Sequence, residues 1–119
     1  MKWDDYERAL CGPDARGLYE SNYLKANDPE GTNAFWIKYN LLAPTDDGSP
    51  RFGELWAVFW KGPGQRPIVV KKIVPESEVT LGTGRLFLGL GESSLQPDLA
   101  KGGIESNGHS ISWDLELRE

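Results

Sequence analysis

Apolar and polar residues alternate along several short segments of this chain, and loops rich in Gly, Pro and Asp separate these segments. The clearest runs are 34–43, 53–61 and 68–74, each of which places polar groups among large apolar ones. Such runs are typical of strands whose two faces are both occupied. A further alternating run at 18–25 precedes them. The pattern therefore predicts four antiparallel strands joined by hairpin loops.

The second half of the chain contains many glycines, which indicate tight bends or bulges between shorter strands. We expect those strands at 79–81, 86–90, 99–106 and 110–117. Strands at regular short spacing, with no helices between them, predict an all-β sandwich or barrel.

The N-terminal segment differs from the rest, because Trp3, Tyr6 and Leu10 recur at helical spacing and Gly12-Pro13 follows them. Residues 1–16 are therefore expected to form a short helix or an arm. A chain of 119 residues is long enough for one domain with a core of its own. We predict a single domain over 1–119, with the arm at its start.

Composition argues against several classes of function. The net charge of −5 disfavours nucleic acid as a partner, because phosphate binding needs a basic surface. No apolar run approaches the ~20 residues of a membrane-spanning helix, and the polar start shows no signal peptide. We therefore expect a cytoplasmic protein. A single cysteine and a single histidine predict no metal cluster, and no phosphate-loop motif points to a cofactor.

Strand alternation groups the residues most able to form a site. Trp36, Lys38 and Asn40 share one face of the second strand, and Glu54, Trp56 and Trp60 share one face of the third. If these faces adjoin, they make an aromatic wall with a few convergent polar groups, which is what a small-molecule pocket needs. Glu20 and Asn22 of the first strand would join this surface in one register. The alternative is that Lys38, Asn40 and Glu54 are ordinary solvent-exposed residues that contact one another across neighbouring strands, and that the Trp residues pack on lysine side chains.

Acid–base chemistry would need a carboxylate held in apolar surroundings. Glu20 and Glu54 are the candidates, because aromatic neighbours would desolvate them. His109 lies in the turn Asn107-Gly-His-Ser110 and is expected to be exposed. Asp114 is expected to be solvated, because it lies on the opposite face from Trp113.

The segment Tyr19-Glu-Ser-Asn-Tyr-Leu-Lys-Ala-Asn-Asp-Pro-Glu-Gly31, followed by Ala34-Phe-Trp-Ile-Lys-Tyr39, resembles a known superfamily. It is similar to the first half of the lipocalin-like proteins that include hydroxyneurosporene synthase (a carotenoid hydratase), AttH-like proteins and tocopherol cyclase. Gly53-Glu-Leu-Trp-Ala-Val-Phe59 and Ile111-Ser-Trp-Asp-Leu115 extend the resemblance over residues 17–117.

The resemblance implies an antiparallel lipocalin-like β-barrel or half-open barrel around an apolar cavity. Members hydrate, cyclise or otherwise rearrange isoprenoids and polyenes, or only carry lipids. The positions that match the family motifs are Glu20, Tyr23, Trp36, Lys38, Glu54, Trp56 and Trp113. These relatives have two such domains with a site between them, whereas this sequence matches one. We therefore expect one of two arrangements. Either a second copy of this chain replaces the second barrel in a homodimer, or the chain is a minimal binding module.

Three functions stay open at this point. The first is binding of an isoprenoid, polyene or polyketide-like molecule in the cavity, with cyclase, hydratase or isomerase activity that needs no cofactor. Glu20 or Glu54 would then supply or take a proton, while Lys38, Asn40 or Tyr23 steadies developing charge. The second is a non-catalytic carrier with the same cavity. The third is an interaction domain that uses the Trp-rich face. The expected ligand-binding residues are Asn22, Tyr23, Trp36, Asn40, Trp56, Trp60 and Trp113.

Overall fold

A computed structural model describes residues 17–45, 49–62, 64–82, 87–106 and 108–117. Within these ranges the chain forms strands and one 3-10 turn, Glu76–Glu78. The strands are β1 (Leu18–Asn27), β2 (Asn33–Ala43), β3 (Phe52–Lys61), β4 (Ile68–Pro75), β5 (Val79–Leu81), β6 (Leu88–Leu90), β7 (Ser93–Leu95), β8 (Leu99–Ser106) and β9 (His109–Glu116).

The strands form two antiparallel meanders, β1-β2-β3-β4 and β5-β6-β7-β8-β9, which pack against each other. The all-β antiparallel prediction is confirmed. Among the described residues no ladder joins the two sheets, so a closed barrel is not formed. The chain leaves the first sheet at Pro75, which has no N–H to extend pairing, and a 3-10 turn leads it into the second sheet.

Most strand predictions agree with the structure to within about two residues. The exception is β7 (Ser93–Leu95), which was not predicted because three residues, two of them serine, carry no readable alternation. The predicted arm, residues 1–16, lies outside the described residues. No helix in the described ranges is long and apolar enough to cross a membrane.

The β1–β2 hairpin shows why its loop sequence predicts a turn. The Asp28 carboxylate accepts hydrogen bonds from the Thr32 hydroxyl (2.8 Å), the Thr32 N–H (2.9 Å) and the Asn33 N–H (3.1 Å). The hydroxyl bond is the main reason that the pKa of Asp28 lies below its usual range. Gly31 adopts a φ of 73°, which favours glycine. This turn fixes the register of β1 on β2.

The core lies between the two sheets. The first sheet contributes Ile37, Tyr39, Leu41, Leu55, Ala57, Val70 and Val74, and the second contributes Leu88, Leu90, Leu95, Ala100, Ile104 and Trp113. In β2, β3 and β4 the buried apolar residues recur at every second or fourth position, as expected for a sheet with one face on a core, and Asn40 and Val58 are buried on the other side.

One polar group crosses this core. The Tyr39 side chain is completely buried, and its hydroxyl accepts a hydrogen bond from the Trp113 indole Nε1–H at 2.8 Å. The same hydroxyl donates its one proton between two carbonyl oxygens, that of Ser94 at 2.7 Å and that of Lys101 at 3.0 Å. The two aromatic rings meet edge to face at 6.2 Å. Tyr39 of β2 therefore links the first sheet to three strands of the second.

Gly102 is required by the close packing around Trp113. A Cβ atom at this position would lie 2.5 Å from both Trp113 Cζ2 and Ser93 Oγ. We expect Gly102→Ala to lower the free energy of unfolding by about 1–3 kcal/mol, the cost of overpacking a core. Gly103→Ala is the matched control, because its Cβ would find no atom closer than 3.6 Å. Urea unfolding of both variants checks this, and equal stability of the two would contradict it.

Candidate functional site

The most unusual surface of this fold is the side of β1–β4 that points away from the second sheet, named here the aromatic face. In a two-sheet protein this side is normally polar and solvated. Here the ladder register instead groups large rings with a few charged and amide side chains. Its central members are Tyr23, Trp36, Lys38, Asn40, Glu54, Trp56 and Trp60.

The register sets one side chain from each strand in a row across this face: Tyr23, Lys38, Trp56 and Lys71. The Lys71 ammonium lies 4.5 Å from the centre of the Trp56 ring, and that of Lys38 lies 4.8 Å from the Trp36 ring. Tyr23 meets Trp36 edge to face, with ring centroids 6.4 Å apart. Cation–π and aromatic contacts therefore hold the rings in defined positions.

Two grooves lie on the aromatic face, one on each side of Trp36. The first has a volume of about 390 Å³ and lies between Tyr23, Lys25 and Trp60. The second has a volume of about 350 Å³ and runs over Lys38, Glu54 and Trp56. Because Trp36 lines both, a ligand that fills either groove contacts its indole.

The second groove has a polar side. Glu54 forms an ion pair with Lys71, with 3.0 Å between Oε2 and Nζ. Beside it, Asn40 is only 2% exposed although it lies on the outer side of the sheet. Its Oδ1 accepts a hydrogen bond from the Ser21 hydroxyl at 2.7 Å. The groove thus offers the Asn40 amide, the Glu54 carboxylate and the Lys38 ammonium beside apolar rings.

The structure confirms that the mixed faces of the second and third strands adjoin, since Lys38 pairs with Trp56 and Asn40 with Glu54. Tyr23 also belongs to this surface.

The expectation that Glu20 and Asn22 join the aromatic face is wrong. Glu20 pairs with Leu41 and Asn22 with Tyr39, so both lie on the inner side of the sheet. Glu20 is 9% exposed. The Asn22 Nδ2 atom is buried and has no hydrogen-bond partner among the described residues. Both residues lie an even number of positions from Leu24, which packs on the core, and this spacing is the sequence signal that they share its side of the strand.

Trp113 is also separate from the other predicted ligand-binding residues, because it lies in the core beside Tyr39. It lines a small apolar cleft between the sheets, together with Phe35, Ile37, Phe59, Ile111 and Leu115. This cleft has a volume of only about 180 Å³, below the ~300 Å³ at which ligand pockets of proteins begin. The aromatic cavity that we expected inside a barrel is therefore not found, and the aromatic residues instead line grooves on the outer side of the first sheet.

Two contributors were missed by the sequence analysis. Tyr19 lines the second groove, and Lys71 neutralises Glu54 there. Alternation along β4 was the available signal, because Lys71 lies between Val69 and Ile73 on the exposed side. His109 and Asp114 are exposed, as expected.

Within the described ranges, no three His, Cys, Asp or Glu side chains come together in a way that could hold a metal ion. No protein-family model, curated protein or solved structure matches this chain.

Proposed function

We propose that the aromatic face binds an apolar small molecule of the isoprenoid, polyene or polyketide-like class. The observation that carries this proposal is the pair of grooves, of about 390 and 350 Å³, that share the Trp36 indole. Both volumes fall within the range of ligand pockets, and their aromatic walls are typical of such sites. We also propose that the chain is related to the lipocalin-like proteins, some of which act on or carry ligands of this class.

The rings of this face supply the binding energy. Tyr19 and Tyr23 are 59% and 62% exposed, while Trp36 and Trp56 are half-buried in the free protein. Covering apolar area contributes about 25 cal/mol per Å² before the costs of association are subtracted. Because neighbouring side chains already hold Trp36 and Trp56, little side-chain entropy is lost when a ligand covers them.

Binding without turnover is favoured over catalysis. Of the two candidate carboxylates, Glu20 lies on the inner side of the sheet and lines neither groove, so Glu54 is the one left on the aromatic face. Glu54 is in addition engaged by Lys71 at 3.0 Å. We therefore propose a carrier or binding module, with cyclase, hydratase or isomerase activity as the alternative that product formation would reveal.

The proposal is tested by titrating the protein with fatty acids, isoprenoids and polycyclic compounds while following Trp fluorescence and melting temperature. We expect a saturable quench and a rise in melting temperature, since a ligand that binds only the folded state stabilises it. Lack of any response across the panel would contradict the proposal. A stable dimer in dilute solution, combined with that lack of response, would favour a protein interface on the Trp-rich face.

A further inference from the structure

We infer that the ligand of the aromatic face is an amphipathic anion, an apolar chain or ring system that ends in a carboxylate or a phosphate. Lys38 is the residue that receives the charged end. This inference rests on the proposed function and specifies the chemistry of its ligand.

The first support is the charge of the face compared with that of the whole chain. The protein has a net charge of −5. Among the described residues of the aromatic face, however, Lys25, Lys38 and Lys71 are accompanied by one carboxylate, that of Glu54. The grooves are thus locally positive on an acidic molecule. A surface of this kind attracts anions to one place, while the rest of the protein repels them.

The second support is the difference between two lysines of the central row. Lys71 is neutralised, because its ammonium lies 3.0 Å from Glu54 Oε2. Lys38 lines the second groove beside Glu54, yet no carboxylate in the described parts of the chain forms an ion pair with it. Its ammonium rests 4.8 Å from the Trp36 ring. Lys38 therefore keeps a net charge to offer an anion.

The position of Lys38 also determines how such a ligand lies. Because the Lys38 ammonium stands over Trp36, which lines both grooves, an anion at Lys38 leaves its apolar part free to cover the indole rings on either side. A charge-assisted hydrogen bond in these aromatic surroundings is stronger than the same bond in water. Grooves of about 390 and 350 Å³ suit a small molecule rather than an extended polymer.

The test compares ligands that differ only in the charged end: dodecanoate with dodecanol, and farnesyl phosphate with farnesol. Calorimetric titration is expected to show about tenfold tighter binding of each anion than of its alcohol, with the difference shrinking as ionic strength rises. Lys38→Gln removes the preference and Lys38→Arg keeps it. Lys101→Gln, which changes an exposed lysine of the second sheet, leaves the preference unchanged.

Equal affinity for anion and alcohol in the native protein would overturn this inference and leave the proposed function in place. So would an anion preference that survives Lys38→Gln. Binding of neither member of any pair would instead count against the proposed function itself. Binding to vesicles of anionic phospholipid, with no binding of the monomeric anions, would show that a membrane surface is recognised and would also overturn the inference.

Discussion

Tyr39→Phe is expected to lower the free energy of unfolding by about 2–3 kcal/mol, although it removes a single oxygen atom. The reason is that the Tyr39 hydroxyl satisfies the buried Trp113 Nε1–H and also bonds two carbonyl oxygens of the second sheet. Without it, the indole N–H is left in the core with no acceptor. For a domain of this size the melting temperature should fall by roughly 10 °C.

The matched control is Tyr23→Phe, which removes the same oxygen from a side chain that is 62% exposed. Urea unfolding of the two variants beside the native protein measures the difference. We expect Tyr23→Phe to lie within about 0.5 kcal/mol of the native protein. A Tyr39→Phe variant as stable as Tyr23→Phe would show that the hydroxyl does not link the sheets.

Ionisation of the Tyr39 hydroxyl is expected to lower the free energy of unfolding at alkaline pH. Burial raises the pKa of Tyr39 from 10.0 to about 12, with the hydrogen bond from Trp113 acting in the opposite direction. Between these values the unfolded chain loses this proton while the folded chain keeps it. The stability that Tyr39 provides is therefore fully present below pH 10 and is lost as the pH rises towards 12. In Tyr39→Phe this part of the pH dependence should be missing.

Trp36→Ala is expected to weaken ligand binding at the aromatic face by more than tenfold. Trp36 lines both grooves, contacts the Tyr23 ring and supports the Lys38 ammonium. Removal of an aromatic side chain at the centre of a binding surface typically costs about 2 kcal/mol or more, which is more than a factor of ten in affinity. Titration of the variant with a ligand identified for the native protein measures the effect.

Ile73→Ala provides the comparison, since Ile73 is 59% exposed on the same side of the same sheet but does not line either groove. Its affinity for the ligand should match that of the native protein. If Trp36→Ala and Ile73→Ala bind alike while both remain folded, the grooves are not the binding site.

The aromatic face could be predicted on β2 and β3 because the alternation there is unambiguous. Ile37, Tyr39 and Leu41 require a core, so Trp36 and Lys38 must lie on the other side. The position of Trp56 on the same side could also be predicted, because a short connection leads from β2 to β3 and the two strands pair directly. On β1 one apolar residue, Leu24, marks the inner side, and the register of β1 on β2 then places Glu20 and Asn22 on that side rather than on the aromatic face.

The remaining features depend on contacts that no local pattern contains. Tyr39 and Trp113 are far apart in sequence, and their hydrogen bond exists only because the two sheets stack. The same stacking covers the side of the first sheet that carries Tyr39 and leaves the side that carries Trp36 exposed. The two grooves therefore lie on the outside of the protein instead of in an interior cavity. The ion pair of Lys71 with Glu54 requires β4 to pair with β3 in one particular register.

The most direct test of a ligand site on the aromatic face is an NMR titration that follows the five tryptophan indole N–H signals, assigned with single Trp→Phe variants. We predict saturable shifts for Trp36, Trp56 and Trp60, and an unchanged signal for Trp113, whose N–H is bonded to Tyr39 in the core. The largest shift at Trp113 would place the ligand in the cleft between the sheets. That result, or unchanged signals for all three tryptophans of the aromatic face, would contradict the proposal.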